Sequence, residues 1–160
     1  METKKLTRDH VGDVIQLEHS SAPVRPQYAP YDEEALNFLF DNPKTCSAYG
    51  LFDGEKLVGW GCFRTNWSTY NKEKGVYEIS SIVVDKNYRR HGYGQKILDK
   101  IIAAIKSGQD YKRIYLTVSP LNVGALMLYL KNNFIIYDYK KDIYGPGADR
   151  LFLNLVEAHE

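Results

Sequence analysis

A strand, a glycine-containing corner and an amphipathic helix follow one another between residues 76 and 106, and this succession limits the fold more than any other feature. The strand is expected in VYEISSIVVD at 76–85, and the helix runs from about residue 92 to residue 107. A further strand, RIYLTV, follows at 113–118. Two strands joined through a helix predict a right-handed crossover onto one sheet, which makes the fold α/β with at least one parallel strand pair.

The rest of the chain supplies further strands and helices on either side of this unit. In chain order they are a helix over 6–18, a proline-rich irregular segment over 20–31, a short helix over 32–40, two strands at 47–52 and 56–64 joined by Asp53-Gly54-Glu55, a helix over 122–132, and strands at 134–140 and 150–156. The Asp-Gly turn between two aromatic-rich runs is typical of an antiparallel hairpin. We therefore expect one domain over residues 1–160, with a central mixed, mostly antiparallel twisted sheet flanked by helices.

Composition excludes several classes of partner. The chain has 160 residues, of which 44% are apolar, and a formal net charge of +1, so it can bury one sizeable core without attracting nucleic acid or membranes. No apolar run reaches the roughly 20 residues that cross a bilayer, and the first residues are polar, so a cytoplasmic protein is expected. The only cysteines, Cys46 and Cys62, have no adjacent Cys or His, which predicts neither a metal site nor a disulfide.

The corner before the helix has the composition of a phosphate-binding site. One face of the helix is apolar, with Ile97, Leu98, Ile101, Ile102 and Ile105. Such a helix docks on a sheet, and its first-turn N–H groups lack intrahelical partners. Gly92 and Gly94 let a ligand approach those groups closely. The alternative is an ordinary strand-to-helix turn in which Arg89, Arg90 and His91 form a solvated rim.

Two common phosphate loops fit this corner poorly. A Walker loop needs Lys followed by Ser or Thr after its last glycine, and a dinucleotide fingerprint needs three glycines. The stretch EISSIVVDKNYRRHGYGQKILDKII instead resembles the A motif of the Gcn5-related N-acetyltransferases (GNAT), which reads Arg or Gln, two residues, Gly, one residue, then Gly or Ala. Arg89, Gly92 and Gly94 fill that pattern.

A second resemblance lies downstream. LTVSPLNVGALMLYLKNNF is similar to the B motif of the same family, through Asn122, Ala125, Tyr129 and Phe134. Asn133 stands where the family prefers Gly, and Asn is the other residue that readily adopts the left-handed conformation after a helix. The motifs span residues 76–137, and the N-terminal helices and hairpin are in the order the family has. The chain is identified as a member of the GNAT superfamily.

The resemblance implies acetyl-CoA as cosubstrate and a set of residues that bind it. The implied contacts are Ile82, Val83 and Val84 with the pantetheine arm, Arg89, Arg90, His91, Gly92, Tyr93, Gly94 and Gln95 around the pyrophosphate, and Asn122 and Tyr129 in the following helix. Tyr129 would be the acid that protonates the leaving thiolate, and its alternative is a tyrosine packed in the core. The alternative for Asn122 is a helix N-cap.

Glu78 is the candidate general base. It stands eleven residues before Arg89, which is the spacing of the base in lysine-acetylating relatives. Period-two alternation along the strand predicts that Glu78 faces the same side of the sheet as Ile82 and Val84. The alternative is a solvated or ion-paired surface residue.

The acceptor is the least defined part of the site. A primary amine is expected, on a small molecule, a peptide or a protein, with Tyr28, Tyr31 and Tyr144 as candidate contacts. Polyamines, aminoglycosides, amino acids and protein N-termini stay open, and rim packing would also explain these tyrosines. A non-catalytic acyl-CoA sensor or interaction module is the alternative function. The sequence leaves open whether the chain works as a monomer or as a homodimer.

Overall fold

The computed structural model describes residues 1–21, 30–65, 73–108 and 110–157. The strands are β1 Glu2–Lys5, β2 Cys46–Asp53, β3 Lys56–Thr65, β4 Val76–Val84, β5 Arg113–Val118, β6 Phe134–Lys140 and β7 Arg150–Leu155. The helices are α1 Val11–Ser21, α2 Glu33–Asp41, α3 Tyr93–Lys106 and α4 Val123–Lys131, with short 3₁₀ turns at Arg8–His10 and Lys86–Tyr88.

All seven strands belong to one sheet with the order β1-β2-β3-β4-β5-β7-β6. Strands β4 and β5 are parallel, and the other neighbouring pairs are antiparallel. The predicted crossover is therefore the connection through α3. The expected α/β class, with a mixed and mostly antiparallel sheet, is confirmed.

Helices cover the sheet on both sides. On one side, which we call the α3 face, α3 buries Ile97, Leu98 and Ile101 against the sheet, and α4 joins the same cluster. Here β3 approaches α3 so closely that a Cβ atom on Gly61 would lie 2.8 Å from the Ile101 side chain. On the other side, which we call the α1/α2 face, both helices pack around the fully buried Trp60.

The N-terminal region differs from the prediction. Residues 2–5 form an edge strand paired with β2, and the helix expected over 6–18 is instead a 3₁₀ turn followed by α1, Val11–Ser21. The backbone N–H of Leu6 donates to the Ala48 carbonyl at 2.9 Å, so the strand pairing runs past β1 and delays the helix. Charged residues such as Glu2 and Lys4 are typical of an edge strand, where they discourage further strand pairing.

The end of α4 agrees with the prediction for Asn133. Its φ angle is 65°, in the left-handed region, so the chain leaves the helix and enters β6 directly. Both cysteines are free and buried. No helix in the described ranges is long and apolar enough to cross a membrane.

Candidate active site

Strands β4 and β5 separate part of the way along their length. Their parallel pairing joins Val76–Ile79 to Arg113–Leu116 and ends there, although β4 continues to Val84. Opposite this point, Ser80 is inserted between the pairs Cys62–Ser81 and Phe63–Ile79, which makes a β-bulge in β4. A bulge bends its strand. In the described part of the chain, no strand pairs with residues 80–84 on the side that faces β5.

The bulge also changes which side chains share a face. Glu78 pairs with Arg64, and both point to the α1/α2 face, whereas Ile82 and Val84 pack in the cluster of the α3 face. The prediction that Glu78 faces the same side as Ile82 and Val84 is wrong, because one inserted residue reverses the alternation. The Glu78 carboxylate and the side chains of Ile82 and Val84 therefore lie on opposite sides of the sheet.

The corner at residues 89–95 presents free backbone donors. Arg90 and Gly92 are left-handed, with φ angles of 64° and 77°, and Gly92 is the N-cap of α3. The first intrahelical bond runs from the Lys96 N–H to the Gly92 carbonyl at 3.2 Å. Within the described residues, the N–H groups of residues 93–95 have no acceptor. These donors lie at the positive end of the helix dipole, which favours an anion.

Side chains hold the corner in this shape. Arg89 donates through Nε to the Val84 carbonyl at 3.1 Å, and its Nη2 donates to the carbonyl at the end of α1. His91 Nδ1 lies 2.8 Å from the Arg89 carbonyl oxygen. The Gln95 and Asn132 side-chain amides bond reciprocally at 2.7 and 2.8 Å, which ties α3 to the end of α4. The side chains of Arg89 and Gln95 thus support the corner, while its backbone stays open.

Glu78 is buried, and the described residues Arg64 and Tyr115 both donate hydrogen bonds to its carboxylate. Arg64 donates from Nε to Oε2 at 3.2 Å and from Nη2 to Oε1 at 3.3 Å, and the Tyr115 hydroxyl donates to Oε2 at 3.3 Å. Burial, and next the negative charge of Glu78, raise the pKa of Tyr115, so its phenol keeps its proton. Sequence reasoning missed Arg64 and Tyr115, which only the strand register places opposite Glu78.

The structure places Tyr129 and Asn122 in the positions that their alternative interpretations describe. The Tyr129 ring is buried edge-on against Phe134, with ring centroids 5.7 Å apart, and Asn122 Oδ1 accepts the Ala125 N–H at 3.4 Å as an N-cap. Burial raises the pKa of Tyr129 to about 12. Its hydroxyl has no hydrogen-bond partner among the described residues, so it is free to donate to a ligand.

A cleft of about 380 Å³ lies on the α1/α2 face. Its lining residues are Tyr31, Asp32, Glu34, Ala35, Phe38, Leu39, Cys46 and Arg64. Arg64 joins the cleft to Glu78. The Tyr31 hydroxyl donates to Ser80 Oγ at 2.9 Å, beside the bulge, and its ring packs edge-on against Trp60.

The other two candidate acceptor contacts are less informative. Tyr144 is exposed in the β6–β7 connection, with the Arg150 guanidinium 5.4 Å from its ring centroid, and Tyr28 lies outside the described residues. Among the described residues, no three His, Cys, Asp or Glu side chains are placed to hold a metal ion together.

Three similar curated proteins are acetyltransferases whose names give different acceptors. The chain is 26% identical to an N-alpha-acetyltransferase of Sulfolobus acidocaldarius, over 89% of this chain and 84% of the relative. It is 25% identical to streptothricin acetyltransferase A of Bacillus subtilis, over 85% and 70%. It is 28% identical to a probable spermine N(1)-acetyltransferase of Bacillus subtilis subsp. natto, over 63% and 69%.

Solved structures share the fold at low identity. The ribosomal-protein-S18-alanine N-acetyltransferase of Escherichia coli superimposes with a TM-score of 0.77 at 17% identity, over 99% of this chain and 96% of the other. Arabidopsis thaliana NAA60 in complex with acetyl-CoA gives a TM-score of 0.76 at 15% identity, over 96% of each chain. Residues 12–134 match the model of the acetyltransferase (GNAT) family, and the chain belongs to that family.

Proposed function

We propose that this protein is an acetyl-CoA-dependent N-acetyltransferase that acetylates a primary amine by direct attack. One observation carries the proposal: the gap between β4 and β5 has open backbone donors at the α3 corner on one side and a buried carboxylate on the other. An anionic cosubstrate and a cationic amine would then enter from opposite faces of the sheet and meet in the gap.

The α3 face suits the cosubstrate. The N–H groups of residues 93–95 would bind the pyrophosphate, and the exposed Arg90 would add a positive charge. Residues 82–84 would hydrogen-bond the pantetheine arm through backbone groups on the side of β4 that no described strand pairs with, apart from the Val84 carbonyl, which accepts from Arg89. A Cβ atom on Gly92 would meet no protein atom within 4 Å, which leaves room for a ligand at the helix start. When bound, acetyl-CoA supplies a thioester that an amine can attack.

The chemistry needs a proton acceptor and a proton donor. Glu78 would take a proton from the acceptor ammonium, directly or through a water. The amine nitrogen then bonds to the thioester carbonyl carbon, and the carbon–sulfur bond breaks. Tyr129 would give its phenol proton to the departing sulfur; burial keeps the phenol protonated, and the same rise in its pKa makes it a weaker acid than an exposed tyrosine. Backbone N–H groups of β4 next to the gap are the candidate donors to the developing oxyanion.

The acceptor would approach along the cleft beside α2. Aromatic walls from Tyr31 and Phe38 and carboxylates from Asp32 and Glu34 suit an amine that carries positive charge. The named acceptors of the three relatives are an α-amine, streptothricin and spermine. We therefore propose a primary amine of a small molecule, peptide or protein as the acceptor class.

The test is a turnover assay with a broad amine panel. The purified protein is incubated with acetyl-CoA and each of spermidine, spermine, streptothricin, free amino acids and short peptides, and both CoA release and the acetylated product are measured. We expect at least one amine to give stoichiometric CoA and product, and Glu78→Gln to lower that rate. Binding of acetyl-CoA without transfer to any amine would contradict the proposal.

A non-catalytic acyl-CoA sensor is the second candidate. It is favoured by the ion pair between Arg64 and Glu78, since the guanidinium already contacts both carboxylate oxygens that a general base would offer to the amine. The same panel separates the two functions, because a sensor would gain thermal stability with acetyl-CoA and release no CoA.

A further inference from the structure

Three strands bring charged and polar groups together at Glu78. Arg64 comes from β3 and Tyr115 from β5, and each is the direct strand partner of Glu78 on β4. The guanidinium contacts the carboxylate side-on, with a separate nitrogen on each oxygen, at 3.2 and 3.3 Å. The side chains are only 24% and 10% exposed, so the pair is largely withdrawn from water.

Stability alone is a poor explanation for this pair. Two partly buried charges lose hydration, and replacing such a pair by packed apolar residues is often neutral or stabilising. A bidentate guanidinium does, however, fix the plane and direction of a carboxylate. Tyr115 adds a third fixed donor, on Oε2. Together they hold a flexible glutamate side chain in one orientation at the bulge where β4 turns away from β5.

We propose that Arg64 is a positioning residue for the transfer reaction: with Tyr115, it holds the Glu78 carboxylate in the orientation in which that carboxylate receives the acceptor's proton. Arg64 also lines the cleft beside α2, so an amine that enters there passes the guanidinium before it reaches Glu78. The inference rests on the proposed function, because it assumes that an amine reaches Glu78. It adds a residue from β3 that lies outside both sequence motifs.

The first experiment removes the guanidinium and returns it. Arg64→Met is expected to lower kcat for the best amine about 10- to 100-fold, because small displacements of a catalytic group are costly, while the KM for acetyl-CoA stays within about twofold. Added guanidinium chloride at non-denaturing concentration should restore part of the rate, whereas the same concentration of sodium chloride should not. Arg64→Lys should retain more activity than Arg64→Met, since it keeps the charge and loses the bidentate contact.

Arg8→Met is the matched control. Arg8 lies in the 3₁₀ turn before α1, and its described contacts are Asn37 Oδ1 and an ion pair with Asp41. This variant also removes an ion-paired arginine and is expected to keep kcat within about twofold without guanidinium rescue. An equal loss in both variants would show a general need for paired arginines and would overturn the inference.

A double-mutant cycle tests whether Arg64 acts through Glu78. In a Glu78→Gln background, Arg64→Met should lower the remaining rate by less than about twofold, because residues that act as a unit are non-additive. The full Arg64→Met loss in that background would overturn the inference, since Arg64 would then act independently.

A crystal structure of Arg64→Met gives a readout that needs no turnover. We expect the Glu78 carboxylate to leave its present orientation, with the backbone of β4 unchanged. A carboxylate that stays in place would overturn the inference alone and leave the proposed function standing. A parent protein that acetylates no amine would overturn the proposed function and this inference together, so the two failures are distinguishable.

Discussion

The candidate site is built in different ways on the two faces of the sheet. On the α3 face, the proposed cosubstrate contacts are backbone groups of residues 82–84 and 93–95, which are close together in sequence. On the α1/α2 face, the groups are the side chains of Tyr31, Arg64, Glu78 and Tyr115, which come from four separate segments. A short motif can therefore specify a site made of backbone groups, whereas a site made of side chains from several segments depends on the strand register.

The largest expected effect is confined to the α1/α2 face. Glu78→Gln should lower turnover by about 10²-fold or more, because a general base is lost, while acetyl-CoA affinity stays unchanged. Steady-state kinetics and calorimetric binding on the same preparation measure both quantities. Glu33→Gln, which removes an exposed carboxylate of α2 that does not line the cleft, is the control and should keep the kcat of the parent. A Glu78→Gln variant with the kcat of the parent would show that Glu78 is not the general base.

The second largest expected effect is on acetyl-CoA binding at the α3 face. Gly94 lies in α3, and a Cβ atom added to it would be 3.5 Å from the Leu128 side chain, which is an ordinary contact distance. The fold therefore accepts alanine at this position. Gly94→Ala should therefore fold normally yet weaken acetyl-CoA binding by about tenfold, or roughly 1.4 kcal/mol, if the ligand lies against this backbone.

Gly12→Ala is the control for that substitution. Gly12 lies in α1, where an added Cβ would meet nothing within 4 Å. Both variants should match or exceed the parent in melting temperature, because alanine favours helices over glycine by up to about 1 kcal/mol. Equal acetyl-CoA affinity in the parent and Gly94→Ala, measured by calorimetry, would place the pyrophosphate elsewhere.

A smaller effect is expected at Tyr129. Tyr129→Phe keeps the ring against Phe134 and removes the hydroxyl, so acetyl-CoA affinity should be unchanged and kcat should fall only several-fold. The loss is modest because a thiolate, with a thiol pKa near 8.5, is already a fair leaving group. Turnover and melting temperature are measured together. If Tyr129→Phe turns over as fast as the parent, the Tyr129 hydroxyl is not the general acid and the residue only packs in the core.

The smallest effect tests the end of α4. Asn133→Gly should leave activity unchanged and raise the free energy of unfolding by up to about 1 kcal/mol, since glycine adopts a positive φ without steric cost. Urea unfolding measures the change. A destabilised variant would mean that the Asn133 side chain contributes more than its backbone conformation.

The sequence predicted the parts of this molecule that depend on local pattern. The apolar stripe from Ile97 to Ile105 identified α3, and the helix start expected at about residue 92 agrees with the N-cap at Gly92. The bulge at Ser80 was not predictable, because VYEISSIVVD alternates well enough to be an unbroken strand and the insertion is defined only against β3. The wrong face for Glu78 follows from that one residue. The partners Arg64 and Tyr115 were missed because the register of β4 with β3 and β5 cannot be read from the sequence.

The claim that the cosubstrate and the amine bind on opposite faces of the sheet is tested by a backbone amide NMR titration. The protein is titrated first with CoA and then with an amine that the assay identifies. We predict that CoA shifts the amides of residues 82–84 and 93–95 and leaves those of Phe38 and Arg64 nearly unchanged. The amine should then shift Phe38 and Arg64. CoA-induced shifts that are largest around Phe38 and Arg64 would contradict the account, because both ligands would then share the α1/α2 face.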